Sequence, residues 1–236
     1  VHALLLWRIK KKEGVYSRQQ IIDLLMVCFF GAVIGARIGY VFLYNWEYFS
    51  RHLLEIFFPY NFALGMWTGF YGMSYHGALL GILLSSWAYA RLYRFSFLRL
   101  ADFVSPAVGM GYFFGRIGNF MNGELYGRTT NSVAGMYFDG FLRYPSQLME
   151  AFLEGIVIFS ILWTIRNKRF FDGGIFCLYG LLYASIRFIA EFFREPDVQI
   201  GFLLMHLTQG QILSICMFNA FSVCMVWFWL KKRSIL

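Results

Sequence analysis

QIIDLLMVCFFGAVIGARIGYVFLY, residues 20–44, is the stretch that decides the fold class. It holds one acid near its start, Asp23, and one base in its second half, Arg37. As a helix rising about 1.5 Å per residue, it outreaches the roughly 30 Å of a bilayer's hydrocarbon core. Comparable apolar runs recur at Met73–Ala90, Phe103–Met121, Ser146–Ile165, Gly174–Phe193 and Gln209–Leu230. A water-soluble domain does not string such runs together, and about a quarter of its residues are charged. Here 59% of the 236 residues are hydrophobic and only 14% charged. The chain therefore reads as all-α, a polytopic transmembrane helix bundle. His2–Trp7 reads as the tail of one more helix, which makes about seven spans, the first truncated, in a single integral membrane domain over residues 1–236.

The formal net charge of +8 invites a nucleic-acid reading, and the positions of the charges argue against it. Arg8, Lys10, Lys11, Lys12 and Arg18 form one cluster; Arg91, Arg94 and Arg99 a second; Arg166, Lys168 and Arg169 a third; Lys231, Lys232 and Arg233 a fourth. Each stands at the end of an apolar run, where Lys and Arg mark the cytosolic side. Alternating the spans from a cytosolic first cluster leaves Arg51, Arg128, Arg143 and Arg194 in outer loops, and Arg37, Arg116 and Arg187 inside spans. These charges are topology anchors, and no nucleic-acid partner is expected.

The outer loops differ in kind. Asn45–Gly72 carries Trp46, Tyr48, Phe57, Phe58, Tyr60, Trp67, Phe70 and Tyr71, an interfacial aromatic belt of which part lies flat on the membrane. Residues 122–145 are Gly-rich and polar, a small folded loop outside the membrane. Cys28, Cys177, Cys216 and Cys224 all fall in apolar runs without a CxxC, which indicates neither a disulfide framework nor a metal site. They are expected as small core residues.

Arg37, Arg116, Arg187, Glu150, Glu154 and Glu191 sit within predicted spans. An Arg or Asp at mid-bilayer costs about 2.5–3.5 kcal/mol on insertion scales, so such residues face a wet cavity or pair with one another. Arg37, Arg116, Arg187, Glu191, Glu150 and His76 all fall in the outer half of their helices. That shared depth places Arg116, Arg187, Glu191 and His76 around one cavity open to the outer side. Arg187 and Glu191 are i, i+4 and can pair; Glu150 and Glu154 share a face and a sign, and need cations from other helices. The arginines can serve those glutamates or bind an anion, for which the planar guanidinium suits phosphate. His76 is either a helix-to-helix hydrogen bond or a proton-transfer group.

The densest polar run is Gly115-Arg-Ile-Gly-Asn-Phe-Met-Asn-Gly-Glu-Leu-Tyr-Gly127. Asn119 is i+3 from Arg116 and shares its face, and Asn122 and Glu124 follow where the helix leaves the membrane. Gly115, Gly118 and Gly123 allow close backbone approach or a bend. This run resembles the signature of the prolipoprotein diacylglyceryl transferase family. Further matches follow at Ala36-Arg-Ile-Gly-Tyr40, Met73-Ser-Tyr-His-Gly77, Tyr144-Pro-Ser-Gln-Leu148, Arg187–Asp197 and Gly210-Gln-Ile-Leu-Ser214.

The resemblance implies a multi-pass enzyme of the bacterial inner membrane with its active site toward the periplasm. It implies transfer of the diacylglyceryl group of phosphatidylglycerol to the lipobox cysteine thiol of a prolipoprotein signal peptide, releasing glycerol phosphate. By motif match, Arg116 and Arg187 handle the phosphate, His76 and Glu124 join them as catalytic positions, and Asn119, Asn122 and Glu191 contact substrate. The family's His-x-Tyr-Gly segment of the first helix has no counterpart here, and the outer insert at Gly127–Pro145 is short for the family. Besides these substrates and membrane lipids no partner is implied, and neither cofactor nor metal. A secondary transporter or flippase for an anionic lipid or solute would use the same arginines. It would place them at mid-bilayer between inverted repeats, and no internal repeat is found.

Overall fold

The computed structural model describes residues 1–58, 60–61, 65–67, 72–168, 170–196, 203 and 207–233. Phe70, Tyr71, Arg169 and Asp197 of the sequence reading lie outside them. The chain divides into two compact units, one of Leu6–Phe97 with His2 and one of Leu98–Leu236 with Val1 and Ala3–Leu5. Each of the six runs read as a span is helical. Three helical stretches, Arg18–Tyr44, Ser146–Ile165 and Gln209–Lys231, are long and apolar enough to cross a membrane.

Helix α1 covers His2–Lys10, and α2 covers Arg18–Tyr44. Ser17 caps α2: its hydroxyl accepts from the Gln20 amide while the Gln20 side chain accepts from the Ser17 amide, a reciprocal capping box. After the short α3 (Trp46–Phe49), a 3-10 turn at Leu53–Ile56 and a two-residue pairing of β1 (Tyr60–Asn61) with β2 (Met66–Trp67), the chain enters α4, Tyr75–Leu92. Gly31, Gly35 and Gly39 recur at four-residue spacing on α2, facing Gly77, Gly81 and Ser85 on α4. A Cβ on Gly39 would lie 2.7 Å from the Cα of Gly77, and one on Gly35 would lie 2.9 Å from the Cα of Gly81. Small residues at this spacing let two membrane helices pack backbone to backbone.

In the second unit α5 covers Phe97–Met121. A hairpin follows, β3 (Met136–Phe138) against β4 (Phe141–Arg143), turning at Asp139 and Gly140, both with positive φ. Tyr126 donates its phenol hydrogen to Asp139, and this bond holds the phenol above its ordinary pKa. Segment 127–130 runs alongside β4: Thr130 donates to the Leu142 carbonyl and Tyr144 to that of Arg128, while Arg128 donates to Phe193. Residues 122–145 thus fold around a hairpin, which the all-α reading did not contain. One helical rod then runs from α6 (Ser146–Glu150) through a π-helical turn (Ala151–Val157) into α7 (Ile158–Ile165). It packs on α8 (Gly174–Ala190) through Ile158, Leu162 and Ile175, and α9 (Gln209–Arg233) packs on α8.

Two expectations change. Only Cys177 is a core residue; Cys28 is half-buried, and Cys216 and Cys224 are exposed on α9. An apolar helix in lipid has no need to turn its cysteines inward. Gly115 and Gly118 make no close approach, since a Cβ on either would meet nothing within 4 Å.

The glycine contacts predict opposite outcomes for two alanine substitutions. A Cβ on Gly81 would lie 2.8 Å from the carbonyl carbon of Gly31, so Gly81→Ala should cost about 1–3 kcal/mol as overpacking. Gly115→Ala, inside α5 with open space at its Cβ, should raise stability by about 0.5–1 kcal/mol. Melting of the detergent-solubilised variants checks both, and a Gly81→Ala protein as stable as the wild type would contradict the packing.

Candidate functional site

Helix α5 meets the π-helical turn at glycines. A Cβ on Gly155 would stand 2.7 Å from the Cβ of Phe113, and one on Gly109 would stand 3.0 Å from the Gly155 carbonyl oxygen. Tyr112 and Arg116 follow Gly109 at i+3 and i+7, so they lie on the face of α5 that this contact turns toward Glu150. The π turn begins immediately after Glu150 and contains Glu154. Such a widened turn breaks the i, i+4 alignment of an ordinary helix and is frequent at functional sites.

Glu150 is 1% exposed, and one of its oxygens, Oε2, takes both arginines: Arg116 Nη2 at 2.8 Å and Arg187 Nη1 at 2.9 Å. Arg187 also pairs with Glu191 at 2.6 Å and lies 3.6 Å from Glu154, which is wholly buried. Glu191 Oε1 accepts from the Thr208 hydroxyl at 3.1 Å. Thr208 is itself fixed by a capping box at the start of α9, in which Gln211 N–H donates to its hydroxyl and its own N–H donates to the Gln211 side chain. Gly210 is glycine for a local reason: a Cβ there would lie 2.6 Å from the Glu191 carboxyl carbon. Two guanidinium groups thus face three carboxylates.

From this core a chain of hydrogen bonds leads outward. Arg116 Nε donates to the Tyr112 hydroxyl at 2.8 Å, the guanidinium lies 5.0 Å from the Tyr112 ring, and Nη1 donates to Asn119 Oδ1 at 3.3 Å. Asn119 Nδ2 donates to Glu124 Oε1 at 2.8 Å, and Asn122 Nδ2 reaches the same oxygen at 3.4 Å. The Glu124 side chain is exposed while its backbone is held: Gln147, fully buried, donates to the Glu124 carbonyl at 2.7 Å, and Ser146 to that of Leu125. Exposure rises along this path, from 1% at Glu150 to 13% at the Arg116 side chain and on to open Glu124.

Arg116, Asn119, Asn122, Glu124, Arg187 and Glu191 are therefore joined in one network. His76 belongs to the first unit, where it stands exposed on the first turn of α4 with its ring edge-on to Tyr75. Arg37, also of that unit, donates to backbone carbonyls there. Tyr112, Gln147, Thr208 and Gln211 are network members that the sequence reading did not single out. The i−4 spacing of Tyr112 from Arg116 and the Thr-x-x-Gln pattern at 208–211 are the signals that mark three of the positions. Among the described residues no group of His, Cys, Asp and Glu is arranged to hold a metal ion.

The family model for prolipoprotein diacylglyceryl transferase matches residues 1–227. The chain belongs to that family. It is 42% identical over 233 residues to a phosphatidylglycerol–prolipoprotein diacylglyceryl transferase of Chlorobaculum tepidum, covering 96% of this chain and 81% of that one. Its identity to the protein of the same name from Wolinella succinogenes is 44%, over 95% and 82% of the two chains. For that of Campylobacter curvus it is 46%, over 87% and 75%. The chain is thus a transferase, and among its described residues three helices are long and apolar enough to cross a membrane.

The shared carboxylate predicts a stability effect. Glu150→Gln removes the anion from between two nearly buried guanidinium groups, and breaking a buried pair from one side costs about 3–5 kcal/mol. Melting in detergent should fall accordingly. A melting point within a degree or two of wild type would show that the arginines are held by other groups.

Proposed function

We propose that this chain transfers the diacylglyceryl group of phosphatidylglycerol to the lipobox cysteine of a prolipoprotein, forming a thioether and releasing glycerol phosphate. The names of its relatives support the reaction and both substrates. The observation that carries it to these residues is the pair of arginines, from different helices, converging on one buried carboxylate. The topology proposed with it is a single multi-pass domain of about seven spans in the bacterial inner membrane, its basic clusters cytosolic. Residues 122–145 form a small periplasmic head and the arginine network opens to that side; His76 is a further catalytic position by motif match alone.

The reaction joins sulfur to the glycerol carbon that carries the phosphate ester. The carbon–oxygen bond breaks, the electron pair leaves on the phosphate oxygen, and the thiol proton goes to a base. Two demands follow. Charge developing on the leaving phosphate must be met by donors already in place. The thiol, with a free pKa of about 8.5, must lose its proton. Arg116 and Arg187 serve the first demand. Glu150, Glu191 and Tyr112 hold the two guanidinium groups in fixed orientation, so little reorganisation is needed when phosphate arrives. Asn119 sets the Arg116 fork and the Glu124 carboxylate with one amide. Glu124, exposed and hydrogen-bonded from two asparagines, is placed to accept the proton, and Asn122 steadies it.

The direct test supplies purified protein with labelled phosphatidylglycerol and a lipobox peptide. A thioether-linked diacylglyceryl group on the cysteine is expected; an unmodified peptide with phosphatidylglycerol moved across the bilayer would replace this reading with a flippase. Arg116→Lys should lose on the order of 10²-fold in transfer or more, nearly as much as Arg116→Ala, because a point charge does not replace a fork on phosphate. Near wild-type turnover in Arg116→Lys would reduce Arg116 to an electrostatic anchor.

Asn119 and Glu124 should fail differently. Asn119→Ala should weaken phosphatidylglycerol binding. Glu124→Gln should keep lipid affinity and slow single-turnover transfer by about 10²–10⁴-fold, the usual contribution of a general base. If Glu124→Gln instead loses lipid binding at unchanged protein yield, Glu124 belongs to the lipid site and His76 becomes the base.

A further inference from the structure

Arg37 is a charge within a helix read as a span, and its guanidinium donates to backbone carbonyls of the returning chain. Its guanidinium donates to the carbonyl of Ile56 at 2.9 Å, to that of Glu55, and to that of Gly72 at 3.4 Å, and it lies 4.8 Å from the centre of the Phe49 ring. A backbone bond fixes the same level independently: the Ser74 amide donates to the Ala36 carbonyl at 2.9 Å. Ala36 precedes the end of α2, Tyr44, by two helical turns, about 12 Å at 1.5 Å per residue. The chain therefore leaves α2, turns through α3, and comes back down beside the last turns of the helix it has just left.

Side-chain sorting along this return is sharp. Glu47 on α3 and Arg51 in the turn after it, exposed and 3.8 Å apart, form a polar edge. Glu55 is buried and accepts from the Tyr48 hydroxyl at 2.6 Å. Leu53, Leu54, Phe57 and Phe58 face outward, with Leu54 61% and Phe57 76% exposed. They extend an outward apolar surface already present on α2, where Phe42 and Leu43 are exposed and Trp46 stacks on Phe42 at 4.9 Å. Non-helical backbone at membrane depth has no water for its carbonyls, and needs donors from the protein. Arg37 is such a donor, and that role also accounts for a charge two turns inside the span.

We infer that Leu53–Phe58 is a re-entrant hook that dips into the acyl-chain region of the outer leaflet beside α2, with Arg37 satisfying its carbonyls. The partner is the hydrocarbon of bilayer lipids. The inference rests on α2 as a membrane span, not on the transfer reaction.

Wild-type protein in vesicles of phosphatidylcholine bearing a diazirine midway along one acyl chain tests it, with carbene adducts mapped by mass spectrometry. A lipid other than phosphatidylglycerol keeps the result separate from catalysis. Adducts are expected on 53–58 as well as on Phe42–Leu43. Adducts on Phe42–Leu43 alone, with 53–58 oxidised by hydroxyl radicals from water, would overturn the hook while leaving the span; adducts on neither would overturn both. Arg37→Gln should lose the adducts on 53–58 and keep those on Phe42–Leu43. Retention of both sets would remove Arg37 from the account, and the wild-type map decides the hook even where that variant fails to fold.

Discussion

One carboxylate oxygen organises the second unit. Glu150 Oε2 receives a guanidinium from α5 and another from α8, and it does so with almost no exposure to solvent. A buried anion is tolerated only when cations stand close to it, and removal of Glu150 would take from Arg116 the carboxylate it pairs with. The three helices carrying these residues are thereby held in one register at this level. The glycine contact between α5 and the π turn, the Thr208 capping box and Gly210 all serve the same end, bringing charged groups together without steric conflict.

This constraint has a functional side. Long arginine side chains in an open pocket would have to be ordered when an anion binds, at a cost in rotamer entropy. Here that ordering belongs to the fold: Arg116 is fixed on three sides by Tyr112, Asn119 and Glu150. On the proposed reading, the excess of carboxylates over guanidinium groups disfavours small free anions at the arginines and favours a lipid phosphate, whose tails the bilayer solvates independently.

Much of this was legible in sequence, for physical reasons. Apolar runs ending in basic clusters gave the helices, and Ser146–Ile165 has the same limits in sequence and structure. Spacing along a single helix gave the Arg187–Glu191 pair and the Arg116–Asn119 bond. What spacing cannot report is which helix supplies a partner, so the need of Glu150 and Glu154 for cations was readable while the sharing of one oxygen by two arginines was not. The π turn has no sequence signal of comparable strength. The hairpin does have one, Asp139-Gly140 between Phe138 and Phe141, masked by a polar, Gly-rich surrounding. Cys216 and Cys224 were misplaced because apolar composition does not tell a core from a lipid face.

The central claim is that the two arginines gathered by Glu150 are the groups that meet the lipid phosphate. Solid-state NMR on protein with ¹⁵N-labelled arginine and bound phosphatidylglycerol measures this directly, through dipolar dephasing of guanidinium nitrogen by phosphorus. The account predicts dephasing of the Arg116 and Arg187 signals by the lipid phosphorus, with their contact to the Glu150 carboxyl carbon retained. Lipid bound tightly with neither arginine dephased would contradict it.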